Sequence, residues 1–452
     1  MLSLLKRRPF HALLALLLLT ACESSDPVEP GEEFDLGWLE ANAVAFTTTD
    51  PGGGYADLAP LGPMIGDARI VALGEATHGT REFFRMKHRI VEYLVKEKGF
   101  STFAIEATWP EANLLNRYVH TGEGDPAELL AGLHFWTWNT AEVLEMIRWM
   151  RAHNQNPGGA PRVSFYGFDM QYSRMAMNQV VAYLRGLDAA AADSAQAHYA
   201  CYREFQDTTV TQNYGAAPGP TRDLCRAGVQ AAYALVERGQ ARWAPRSGAA
   251  EYATALRAAR IVVQNEDVRG NPLQGSVLRD TYMAENVEWL ADQAGPGSRL
   301  VLWAHNAHVS RAEPWMGTRL QARYGAAYRP VGFSFYSGSF NAVIPIPGIS
   351  PSSQLGVAEI PDSLTSPRSY NHQFHRLGVP RFIVNLQPLR DGAPRGAEWL
   401  LGPRHLRMIG AGYDASRQLN SYVHSELVKE YDIMIHIEKS TPTQRLLFGD
   451  SQ

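Results

Sequence analysis

Residues 69–79 read Arg-Ile-Val-Ala-Leu-Gly-Glu-Ala-Thr-His-Gly, and this order sets the fold. The apolar run Ile70 to Leu73 is a buried strand, and Gly74 stops it. Glu75 and His78 follow, three apart, and then Gly79. A helical pattern runs from Phe83 to Val95, with Phe83, Met86, Ile90, Tyr93 and Leu94 on one stripe and Gly99 placed to cap it. A strand therefore ends, and an acid and an imidazole leave its carboxyl end. In an open α/β sheet that edge binds ligands. A carboxylate beside an imidazole fixes its tautomer and raises its basicity. The plainer alternative is a polar loop whose Glu caps the next helix.

The pattern recurs along the chain. Ser101 to Ile105 is a second apolar strand, ending in Glu106. Val163 to Phe168 is a third, ending in Asp169, and Arg299 to Ala304 a fourth, ending in His305-Asn306-Ala307-His308. Long helix-containing connections separate them, as parallel pairing requires. Parallel neighbours would bring Glu75, His78, Glu106, Asp169, His305 and His308 to one sheet edge. The expected fold is α/β: a largely parallel central sheet flanked by helices, a long Ala-rich helical insertion at about 172–292, and an active site at the strand carboxyl ends. Later strands are expected at Pro330–Phe335, Phe340–Ile344, Phe382–Leu386 and Ile433–Ile437, with Gly348 to Ser369 as a Pro/Ser-rich loop.

The amino terminus is read as a processing segment. Lys6, Arg7 and Arg8 precede a short apolar run, Ala12 to Leu19, too short for a permanent span. Leu19-Thr20-Ala21-Cys22 resembles a bacterial lipobox. That resemblance implies a signal peptide over 1–21, lipid on Cys22 and an envelope address, at the outer membrane or periplasmic face. An acidic tether over 22–34 would then lead into a catalytic domain over 35–452. The full chain has 45% hydrophobic and 19% charged residues, a globular balance. Net charge is −4 with no basic block, which argues against a nucleic-acid partner. A monomer acting on a small molecule is expected. Cys201 and Cys225 remain, as a disulfide or as two buried thiols.

The chemistry is narrowed by what is missing. The sequence holds no Gly-x-Ser-x-Gly elbow, phosphate-binding loop or His-Glu-x-x-His. Imidazoles and carboxylates remain, and they suit water attack on an ester or lactone carbonyl with no cofactor. The same residues could hold a divalent metal that generates hydroxide. A surface lipoprotein that binds a small molecule or haem without turnover is the third reading.

Several stretches occur in the order of one family. They include Gly-Glu-Ala-Thr-His-Gly-Thr (74–80), Ile-Glu-Ala-Thr-Trp-Pro-Glu (105–111), Phe-Trp-Thr-Trp-Asn-Thr-Ala-Glu-Val (135–143), Phe-Tyr-Gly-Phe-Asp-Met-Gln (165–171) and Trp-Ala-His-Asn-Ala-His-Val (303–309). From about Phe34 onward the chain resembles the erythromycin esterases. The resemblance implies hydrolysis of a macrolide lactone, with His78 as the water-activating base. Glu75 and Glu106 match site carboxylates, and His305 matches a second imidazole. His308, Arg279 and Lys87 are placed as substrate contacts, Lys87 alternatively as a solvated helix residue. Asp280 and Asp169 read as structural partners, His88 as a surface residue, and Trp136 and Trp138 as core, with a wall for an apolar substrate as the alternative. The export signal departs from the resistance esterases, which act inside the cell, so another envelope ester, lactone or amide is the alternative substrate.

Overall fold

The computed structural model describes residues 34–206, 213–346 and 352–446. The leader, Cys22 and nearly all of the tether lie outside the described residues. Eleven strands follow in chain order: β1 (Val44–Ala45), β2 (Ile70–Leu73), β3 (Thr102–Thr108), β4 (Ser164–Asp169), β5 (Leu300–Trp303), β6 (Tyr328–Pro345), β7 (Ser353–Ile360), β8 (Arg381–Asn385), β9 (Arg404–Arg407), β10 (Tyr422–Ser425) and β11 (Ile433–Ser440). Nine form one sheet in the order β1-β8-β11-β6-β2-β5-β3-β4, with β7 paired to β6; β9 and β10 form a separate ribbon. From β11 through β4 every pair is parallel. Antiparallel β8, β1 and β7 lie outside that block.

The parallel strands read as unbroken apolar runs because both faces are covered. Alternate residues point to opposite faces. Ile70, Ala72, Ala104, Leu300 and Leu302 belong to one buried cluster. Val71, Leu73, Phe103, Ile105, Val301 and Trp303 belong to the other. The first face carries the helical insertion, which comprises helices Arg174–Arg185, Ala189–Arg203, Gly219–Arg238, Gln240–Ser247, Ala249–Gly270 and Gly275–Ala294. The second face carries helices Arg81–Lys98, Trp109–Thr121 and Ala141–Gln155. Cys201 and Cys225 are joined, tying two insertion helices together. No helix among the described residues is long and apolar enough to cross a membrane.

Three expectations are corrected. The stretch expected as two strands, 330–335 and 340–344, is the single long β6, which runs on past the edge of its neighbours. Gly338 sits inside it at φ +119, so the glycine marks a kink instead of an end. The expected loop 348–369 contains β7, which pairs with the outer half of β6. Finally, β3 runs on to Thr108, so Glu106 lies within the strand.

Candidate active site

The four parallel strands do bring their polar ends together. At the tip of β2, glycines open and close the loop because neighbouring chain leaves no room for a side chain. A Cβ on Gly74 would lie 2.2 Å from Asn306 Oδ1, and one on Gly79 would lie 2.0 Å from the Asn341 carbonyl oxygen. Between them, His78 Nδ1 sits 2.6 Å from Glu75 Oε1. The other Glu75 oxygen accepts from Lys87 Nζ at 2.7 Å and from Trp303 Nε1 at 2.9 Å. Glu75 and Lys87 are wholly buried, whereas the His78 side chain keeps 11% of its surface exposed. The carboxylate thus has its hydrogen bonds filled from three directions, and imidazole Nε2 is the part of the dyad left to act.

Lys87 corrects the expectation of a substrate contact or a solvated residue. It has no accessible surface; it stands between Glu75 and the Trp303 ring, 4.6 Å from the ring centre. Burial pulls its pKa down to about 8, against the pull of Glu75. His88 is likewise not on the surface. It is buried beside Glu92 and edge-on to Trp149, because its helix packs against Ala141–Gln155 as well as against the sheet.

β3 and β5 supply the second half. Pairing of β3 with β4 becomes irregular between Ile105 and Thr108. Glu106 lies in that irregular stretch, as expected of bulges beside sites. One Glu106 oxygen accepts from the His305 backbone N–H at 3.0 Å. The other accepts from Arg279 Nη2 at 2.7 Å, with His308 Nε2 at 3.4 Å. The same Arg279 Nη2 also donates to Asp169 Oδ2 at 2.7 Å, and Arg279 Nε donates to Asp169 Oδ1 at 3.1 Å. His308 Nδ1 meets Asp280 at 2.8 Å, and Asp280 also accepts from the Met316 N–H. Burial by itself would depress His308, but Glu106 and Asp280 outweigh it and raise its pKa to about 9. Arg279 Nη1, 3.3 Å from His308 Nε2, works against that proton without prevailing. Burial pushes Glu106 up, yet His308 and Arg279 hold it well below the usual carboxylate range.

His305 behaves in the opposite way. Its Nδ1 accepts from the Ala307 N–H at 3.2 Å and so caps the short helix Asn306–Val309. The proton is thereby assigned to Nε2. That nitrogen is buried and has no hydrogen-bond partner among the described residues. The Ala76 carbonyl favours a proton there without hydrogen-bond geometry. Burial first, then the nearby His78 and His308, lowers the His305 pKa to about 3. The His78 and His305 rings lie 5.2 Å apart, centre to centre. The site therefore presents one imidazole on a carboxylate, one neutral imidazole with a spare N–H, and one imidazolium.

Sequence reasoning gave no role to Trp303 and did not link Trp138 to the site carboxylate. Trp138 donates to the Glu106 backbone carbonyl and stands edge-on to His78 at 5.8 Å. The register could have found Trp303, because it lies directly across from both Leu73 and Ile105. Among the described residues, no group of three or more His, Cys, Asp or Glu is arranged to hold a metal ion.

A family model described as erythromycin esterase matches residues 95–440. Erythromycin esterase type II of Escherichia coli is 27% identical over 336 residues, covering 68% of this chain and 78% of that protein. A solved structure of a Bacillus cereus protein has a TM-score of 0.77 at 28% identity, covering 91% of this chain and 98% of that one. A mutant of the erythromycin esterase EreC, solved in its open conformation, has a TM-score of 0.67 at 16% identity. That likeness covers 89% of this chain and 98% of the other, and at such identity it is one of fold.

Proposed function

We propose that this chain, which belongs to the erythromycin esterase family, cleaves a carboxylic ester or lactone with a water molecule activated by His78. Family membership supports a hydrolase; the ester or lactone substrate and the roles of the residues are our reading. The observation that carries it is the buried Glu75–His78 pair, with His305 5.2 Å away.

In this reading Nε2 of His78 takes a proton from water as the oxygen attacks the carbonyl carbon. Glu75 holds the ring in the tautomer that leaves Nε2 free and stabilises the imidazolium that forms. Lys87 and Trp303 fix the Glu75 carboxylate through hydrogen bonds to its other oxygen. The carbonyl oxygen gains charge and meets the His305 Nε2–H, a neutral donor that needs no reorganisation. Collapse expels the alkoxide, which recovers the proton from His78. Arg279 and His308 are the cations for a polar substrate group at the rim, locked by Glu106, Asp169 and Asp280. The domain would start near residue 35, and lipid on Cys22 would tether it to the envelope; both rest on the sequence alone.

The test is ester and lactone turnover after dialysis against a chelator, for the parent and for His78→Asn. The proposal expects full turnover by the metal-free parent and a loss of about 10² to 10⁴ in the variant. Activity restored only by a divalent ion would favour a metallohydrolase of the same site.

A further inference from the structure

The ribbon of β9 and β10 carries two histidines that play no part in the site above. His405 and His424 stand directly opposite each other in its antiparallel register, so both side chains leave the same face. Their ring centres are 4.5 Å apart, with the planes tilted by 52°. Three observations connect the pair with a metal ion.

The first is availability. His424 is exposed and His405 half-buried. Neither ring is held by a hydrogen bond or an acid among the described residues. Burial, and then His424, lower the pKa of His405. It is therefore neutral near pH 7, with a lone pair free to coordinate. The arginines of β9 are engaged elsewhere: Arg404 lies over the Phe34 ring, and Arg407 donates to the Tyr336 carbonyl and the Tyr422 hydroxyl.

The second is spacing. A metal–imidazole bond of about 2.0 Å sets each ring centre roughly 3.2 Å from the ion. Two rings at a right angle then have centres about 4.5 Å apart, and at the tetrahedral angle about 5.2 Å. The observed 4.5 Å matches the right angle, which suits a tetragonal ion such as Cu²⁺ or Ni²⁺ better than tetrahedral zinc.

The third is what an ion would hold together. The ribbon has four residue pairs and no third strand. A two-stranded ribbon is marginal by itself. The chain between its strands carries Ile409, whose N–H donates at 2.6 Å to the carbonyl of Ala76, two residues before His78. The histidine pair thus stands at the foot of the loop that braces the chain leading to His78.

We propose that His405 and His424 chelate a tetragonal divalent ion, Cu²⁺ before Ni²⁺ or Zn²⁺, which staples the ribbon and keeps water in its remaining positions. The inference is independent of the hydrolytic reading, and of a metallohydrolase, whose ion would lie at the strand ends.

The test is equilibrium dialysis of the full chain against Cu²⁺ buffered with glycine, with electron paramagnetic resonance of the bound ion. Every protein carries Cys22→Ser. The chain has three cysteines and Cys201 is joined to Cys225, so no free thiol then competes. The parent is expected to bind one Cu²⁺ tightly, to show splitting from two imidazole nitrogens, and to melt a few degrees higher with the ion than without it. His405→Asn and His424→Asn should each weaken binding by about tenfold or more and abolish the rise in melting temperature. Without metal both should melt like the parent, which shows that they fold. His198→Asn, in the helical insertion, should change neither reading. Absence of tight binding, binding unmoved by both ribbon substitutions, or binding lost in His78→Asn overturns the site. Binding that depends on both imidazoles yet leaves the melting temperature unmoved overturns the staple.

Discussion

Lys87 Nζ and His78 Nδ1 grip opposite oxygens of one buried carboxylate, Glu75, at 2.7 and 2.6 Å. The lysine neutralises the charge inside the fold, and the histidine carries its effect to the rim. In the proposed mechanism, a helix residue twelve positions downstream of Glu75 acts on the imidazole without reaching substrate.

Lys87→Met should therefore impair His78 without removing it. Breaking a buried pair leaves an uncompensated charge and costs about 3–5 kcal/mol. We expect a lower melting temperature, kcat reduced by roughly ten- to a hundredfold, and KM for a small ester unchanged; the fold factor is an order-of-magnitude expectation for lost base orientation. A shifted pH–rate profile, and partial rescue by Lys87→Arg, separate positioning from simple destabilisation. Parent-like kcat at the parent pH optimum would contradict it.

The pKa of His308 is raised to about 9 in the fold by Glu106 and Asp280, over the opposing effect of burial. Its charged form is what the fold stabilises. The stability it contributes is fully present below the unfolded imidazole value, about 6.5, and is lost as pH rises through 9. The difference in melting temperature between the parent and His308→Gln should shrink steadily from pH 6 to pH 10. A difference that is constant, or that grows with pH, would refute the assignment.

Glu111 is a second titration marker. It is buried, one carboxyl oxygen has no partner among the described residues, and burial raises its pKa to about 8. The folded state holds a proton that the unfolded state releases near 4.5, so Glu111 makes stability fall as pH rises from about 4.5 to 8. Glu111→Gln should melt a few degrees above the parent at pH 8.5 and close to it at pH 4. Equal melting at both would show that the carboxyl is satisfied some other way.

Gly79→Ala should strike the catalytic loop. The new Cβ would lie 2.0 Å from the Asn341 carbonyl oxygen, which is backbone and cannot turn aside. We expect a destabilisation of about 1–3 kcal/mol, in the range of overpacking, together with loss of ester turnover. Retention of both properties would mean that the loop and β6 separate easily.

Much of this was legible in the sequence because buried parallel strands announce themselves. Ile70–Leu73 and Leu300–Trp303 are apolar on both faces and end in polar residues, so their shared edge followed from the α/β rule. The covering elements were less legible. β7 has one partner and only two buried side chains, and its apolar residues Leu355, Val357, Ala358 and Ile360 stand in a stretch punctuated by Gly, Pro and Ser, which read as a loop. His88 lies off the main stripe of its helix and was read as solvated, because a single stripe says nothing of a second helix packed behind. Ile409 was beyond reach, since its link to Ala76 is a backbone hydrogen bond across more than three hundred residues. The cysteines left two outcomes open; packing of Ala189–Arg203 against Gly219–Arg238 brings them together.

The most direct test of the central claim is the mass of the product. The protein is incubated in ¹⁸O-labelled water with a panel of esters and lactones, and the acids are weighed by mass spectrometry. The account predicts one labelled water added per bond broken, and a rate reduced by about 10² or more in a folded His78→Asn protein. Labelled product formed at the parent rate by that variant would contradict it.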